Sequence, residues 1–97
     1  MKNIFYSSSF DDENLFNLNK VDFFDNGTFI IHYYNNISEQ RLWYINDEHF
    51  FLSDAAQKYW IGWGESFMLK FFNIRAKDII NAYNNHTIDN ILLKEKV

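Results

Sequence analysis

In the first half of the chain, apolar and polar side chains alternate with the period of two that strands require, and beyond Ser53 the period lengthens toward 3.6. The stretch "KNIFYS" (2 to 7) predicts a short first strand. "SSSFDDENLFNLN" follows, where Ser hydroxyls precede Asp11, Asp12 and Glu13; a short helix over 10 to 17 and an acidic, solvated loop both fit. In "KVDFFDNGTFIIHYY", Asn26 and Gly27 tolerate the positive φ angles of a type I′ turn, which predicts a hairpin of strands 20 to 25 and 28 to 34. A two-residue turn sets Asp25 opposite Thr28, Phe24 opposite Phe29, Phe23 opposite Ile30 and Asp22 opposite Ile31. After the loop "NNISEQ", "RLWYI" (41 to 45) and "EHFFL" (48 to 52) predict a second hairpin about an Asn46–Asp47 turn, with Trp43 facing Phe50 and Tyr44 facing His49.

Ala56, Tyr59, Trp60 and Trp63 fall at i, i+3, i+4 and i+7, with Ser53 or Asp54 as a cap and Gln57 completing a capping box, so a helix is expected from 54. Gly62 is the expected left-handed terminator, and Gly64 turns the chain into "ESFMLKFF", apolar nearly all round and so expected to be buried. Ala76, Ile79, Ile80 and Tyr83 repeat the helical spacing up to Asn84 and Asn85, and Thr87 caps a last short helix. The expected fold class is α+β: an antiparallel sheet of four to five strands from the N-terminal half, with two to four C-terminal helices packed on it. One domain spans residues 1 to 97, a length that supports a single core.

Composition narrows the function. Aromatic residues make up 21 % of the chain, so it folds despite its many asparagines, and this excess leaves self-association as a homodimer open. Cysteine is absent, which removes disulfides, thiolate metal sites and thiol nucleophiles. The N-terminal segment lacks the apolar run of a secretory signal, and no run approaches the roughly 20 residues of a membrane span, so a cytoplasmic location is expected with no membrane partner. Residues 1 to 65 carry four basic and ten acidic side chains, net −6, and residues 66 to 97 carry five and three, net +2. Clustered cations that would neutralise phosphates are missing, so a basic protein is the expected partner and nucleic acid is not contacted directly.

The chemistry-bearing patterns are sparse. Gly62 and Gly64 lack the third glycine and the preceding strand of a dinucleotide loop, so no cofactor is expected. His32, His49 and His86 lie apart, and Asp47, Glu48 and His49 are consecutive positions that a strand would point to opposite faces, so no metal site is expected. No nucleophile elbow or paired-carboxylate signature supports catalysis, and an enzyme is not expected. Trp60, on the Ala56 stripe, is expected in the core. Trp63 lies between two glycines at a chain reversal and is the candidate surface anchor.

In "SFDDENLF", "YINDEHFF" and "YWIGWGESF" carboxylates and rings are interspersed. In this general character, and in its size and acidity, the chain resembles the bacterial immunity proteins that neutralise secreted nuclease toxins, including those of contact-dependent growth inhibition systems. The resemblance implies an inhibitor in a tight one-to-one complex with a toxin nuclease domain. On it, Asp11, Asp12, Glu13, Asp47, Glu48, Trp63 and Glu65 are the expected partner-binding residues. A phage-encoded inhibitor of a host defence nuclease fits the same features, and a homo-oligomeric scaffold subunit or a small enzyme represents the other classes.

Overall fold

The computed structural model describes residues 2 to 8, 10, 11 and 14 to 85. The element order is β1 (Asn3–Ser7), β2 (Leu18–Phe24), β3 (Thr28–Tyr33), β4 (Ser38–Asn46), β5 (His49–Ser53), β6 (Trp60–Ile61), α1 (Gly64–Phe72) and α2 (Ala76–Asn85). The six strands form one sheet in sequence order, every neighbouring pair antiparallel. The α+β class is therefore as expected, with one strand more than the alternation suggested. The expected helix after Thr87 lies outside the described residues.

The β2–β3 hairpin departs from its expected register by one residue. Phe23 faces Phe29, Asp22 faces Ile30 and Val21 faces Ile31. The loop has three residues, not two: Gly27 takes φ +85, and the Asn26 side chain accepts hydrogen bonds from the backbone N–H and hydroxyl of Thr28. A type I turn followed by a left-handed glycine is the other common hairpin solution. Packing explains the choice. A one-residue slip exchanges faces along a strand, and only the observed pairing sets buried residues opposite one another, as with Val21 and Ile31 or Phe23 and Phe29.

In the next hairpin the turn is Asp47–Glu48, with φ of 50 and 67, rather than Asn46–Asp47. Trp43 consequently faces Leu52 and Tyr44 faces Phe51. The displacement is two residues, so every side chain keeps its expected face.

Residues 54 to 61 are not helical. Asp54 Oδ1 accepts hydrogen bonds from the backbone N–H groups of Lys58 (2.8 Å) and Tyr59 (3.1 Å), and Gln57 adopts φ +60. Short carboxylate side chains compete with the helix by binding nearby backbone donors, and here that competition produces a closed turn. The chain leaves it as β6, pairing Trp60 with Ser53 and Ile61 with Leu52. Ala56, Tyr59 and Trp60 are all exposed, so the expectation of a core stripe fails for Trp60, which is 49 % exposed. The described part of the 10 to 17 stretch is a loop, clamped by Asn14, whose side-chain amide pairs with both backbone groups of Leu18.

Helix α1 begins at Gly64 and ends at Asn73, which takes the left-handed conformation; the N–H groups of Asn73 and Ile74 reach back to Leu69 and Met68. Gly62, expected to end a helix from 54 that does not form, is outside the left-handed region. Like Asn73, Asn17 and Asn36 occupy positive φ, which accounts for part of the asparagine content. Met68, Phe72, Ile74, Ile79, Ile80 and Ala82 close the core over Ile4, Val21, Phe23, Phe29, Phe50 and Leu52. Phe23 is its hub, with Phe29 stacked at 4.6 Å, Phe5 at 5.7 Å and Phe50 at 5.8 Å between ring centroids. Burying each such ring contributes about 2 kcal/mol.

Candidate functional site

An antiparallel meander puts alternate connections at opposite ends of the sheet. The β2–β3 and β4–β5 turns share one end; the β1–β2, β3–β4 and β5–β6 connections share the other. Asp47 and Glu48 form the β4–β5 turn, whereas Asp11 lies in the β1–β2 connection, at the far end of the sheet. At about 3.3 Å per residue, the strands between them separate these carboxylates by on the order of 20 Å. The acidic positions therefore do not form one patch. Asp12 and Glu13 lie outside the described residues.

Asp47, Glu48, Glu65 and Trp63 do gather at the start of β5. Strand β6 covers only the Leu52–Ser53 end of β5, and beyond it the Phe50 N–H donates to Glu65 Oε1 at 2.7 Å. Glu65 thus satisfies an open sheet edge, with His49 Nδ1 3.5 Å from the same oxygen. His49, Trp63 and Glu65 line a depression of about 150 Å³. On the other side of the hairpin end, Glu48 lines a shallow groove of about 320 Å³ with Lys77, Asn81 and Asn84 of α2. Trp63 is 58 % exposed and leans on Phe67, with ring centroids 5.4 Å apart.

Two local choices at this end run against backbone preference. A type I′ turn favours Asn-Gly, because both central residues need positive φ, yet Asp47 and Glu48 occupy it; a left-handed residue with a long side chain costs about 1–2 kcal/mol. Trp63 holds the N-cap position of α1, where Ser, Thr, Asp or Asn would bind a free N–H, and it makes no side-chain cap.

Sequence reasoning missed a charged cluster on the helix-covered side of the sheet. Glu39 and Arg41 face Ile31 and Phe29 across the strands, and the Arg41 guanidinium pairs with Glu39 beneath the Phe67 ring, 5.6 Å from its centroid. Burial, and then the Glu39 charge, push the Tyr33 hydroxyl above its ordinary value. The 39/41/43 alternation carried the signal, since it shares a face with Trp43. Asp54, half-buried, is held below the ordinary carboxylate value by the Tyr59 and Lys58 N–H groups.

Among the described residues no group of three or more His, Asp or Glu side chains is placed to hold a metal ion, and no helix is long and apolar enough to cross a membrane. The chain is thus an acidic α+β domain with a six-stranded meander, bearing exposed rings and carboxylates at one end. It matches no protein-family model, no curated protein and no solved structure.

Proposed function

We propose that this protein is a small acidic inhibitor that binds another protein, of the immunity type, and neutralises a basic nuclease toxin domain in a one-to-one complex. Asp47, Glu48 and Trp63 at the start of β5 form the docking surface, with Glu65 at its centre holding the strand edge in place. Asp11 lies outside that surface. The observation that carries the reading is the coincidence of two locally unfavourable choices at one place: a carboxylate pair in a turn suited to Asn-Gly, and an exposed tryptophan where a helix cap belongs. Departures from local preference concentrate at functional sites, and carboxylates beside an exposed indole suit a cationic partner.

Carboxylates at the tip would steer a basic partner into contact, and the indole would slow its release. The test pairs the chain with the product of the neighbouring reading frame and follows association by stopped flow as salt rises. The on-rate is expected to fall at least tenfold between low and high salt, and Trp63→Ala is expected to speed dissociation about 30-fold, the equivalent of about 2 kcal/mol. Absence of binding, or an association rate indifferent to salt, overturns the reading.

A further inference from the structure

Among the described residues, both helices lie on one face of the sheet, and no described element is layered over the other. Antiparallel sheets commonly leave one face to solvent, but that face is then polar. Here it is not. The side chains sharing the open face with Asp22 include Tyr6, Ile30, Leu42, Tyr44, Phe51 and Trp60, by the cross-strand pairings Tyr6↔Asp22, Asp22↔Ile30, Thr28↔Leu42, Tyr44↔Phe51 and Ser53↔Trp60. Tyr44 stacks on Phe51 at 4.6 Å and meets the edge of Trp60 at 4.5 Å, which makes a ring platform running to the β6 edge.

The charge on this face is also unlike that of the rest of the molecule. Among the described acidic residues, the strands carry only two, Asp22 and Glu39, and Glu39 points to the helix side. Asp22 is taken up by His32 at 2.8 Å and by the Asn3 amide at 2.9 Å, and Lys20 lies over the Tyr6 ring. One lysine and one aspartate leave the face neutral on a chain whose net charge is −4. A basic partner would find no excess negative charge there, whereas a second identical face could approach without repulsion.

We propose that the open face is the interface of a homodimer, two copies stacking sheet on sheet about a two-fold axis. Six strands about 4.8 Å apart and some five residues long give a face of roughly 24 by 17 Å. Two such faces cover about 800 Å² in flat projection, and side chains standing off the sheet raise the accessible area toward the 1,200 Å² at which specific interfaces begin. The stack follows the geometry of a β-sandwich, with the two-fold pairing each residue against the same patch of the other copy. Trp63 itself leans on Phe67 on the helix side, whereas Phe51 of the open face also lines the depression beside Trp63, so the two surfaces meet at β5.

Sedimentation of the isolated chain from about 1 to 100 µM tests this. A dimer dissociating at low micromolar concentration or below is expected. Tyr44→Arg, which places like charges across the two-fold, should weaken it at least 100-fold, while Trp63→Ala should leave it unchanged. Gln40→Arg, at an exposed position on the same face, serves the same purpose without disturbing the ring stack, and circular dichroism checks that each variant folds. A wild-type chain that stays monomeric at 100 µM overturns the proposal, whatever protein it binds, and so does a dimer that survives both arginine variants in folded form.

Discussion

Replacing Gly64 with alanine should separate the two glycines that flank Trp63. An added Cβ at Gly64 would lie 3.0 Å from Leu52 Cγ, 3.2 Å from Cδ2 and 3.2 Å from the Leu52 backbone nitrogen, whereas one at Gly62 would meet nothing within 4 Å. Leu52 is fully buried and its nitrogen belongs to a paired strand, so neither can withdraw freely. Overpacking of this kind costs about 1–3 kcal/mol, and alanine at a helix start returns at most about 1 kcal/mol, leaving Gly64→Ala destabilised by about 1–2 kcal/mol. Gly62 is outside the left-handed region, so Gly62→Ala should stabilise by about 0.5 kcal/mol through the unfolded chain. At 4–8 °C per kcal/mol for a domain of this size, the two melting temperatures should differ by roughly 10 °C in thermal unfolding followed by circular dichroism. Most of the Gly64→Ala penalty should vanish in a Leu52→Ala background, a coupling of about 1 kcal/mol. A Gly64→Ala chain that melts at or above Gly62→Ala would refute the close packing of α1 on β5.

Three further outcomes follow from other contacts. The Trp43 indole N–H donates to both Phe24 O (3.0 Å) and Thr28 O (2.9 Å), locking the β2–β3 loop, so Trp43→Phe should cost about 2 kcal/mol in urea unfolding; a loss under 0.5 kcal/mol would contradict that lock. Because the folded pKa of Asp54 is lowered, its hold on the 54 to 59 turn is complete above the ordinary value of 3.8 and is lost as pH falls through the lower folded value. Amide protection at Lys58 and Tyr59, corrected for intrinsic exchange, should fall only in that acid range, whereas Asp54→Ala should lack it at higher pH as well; loss of protection already near pH 5 in the wild type would contradict the shift. Arg41→Ala and Glu39→Ala should couple by about 1 kcal/mol in a double-mutant cycle, because the pair is largely shielded under Phe67. Additive single effects would mean that the ion pair contributes nothing.

The first five strands and the α2 helix were legible in the sequence because their apolar positions follow one period: Val21, Phe23, Phe29 and Ile31 alternate and are buried, and Ala76, Ile79, Ile80 and Tyr83 repeat every three to four residues, with Ile79 and Ile80 buried and Tyr83 left exposed. The register of the first hairpin was not, since Asn26–Gly27 serves a two-residue and a three-residue loop equally well and only core packing chooses between them. The 54 to 61 stretch misled for a different reason. Ring spacing matched a helix, but a single aspartate engaged its backbone donors, and the rings went to the surface. Of the site, Trp63 and the Asp47–Glu48 pair could be singled out from the sequence, and so could Glu65. What periodicity could not supply was the end of the sheet at which each connection lies, and this separates Asp11 from the others.

The sharpest test exchanges the β4–β5 turn for the residues its backbone prefers. The double substitution Asp47→Asn with Glu48→Gly should raise stability by about 1 kcal/mol by relieving positive φ, and it should slow association with a basic nuclease partner about tenfold at low salt. A chain made more stable with its association rate intact would contradict the assignment of the acidic turn to partner binding.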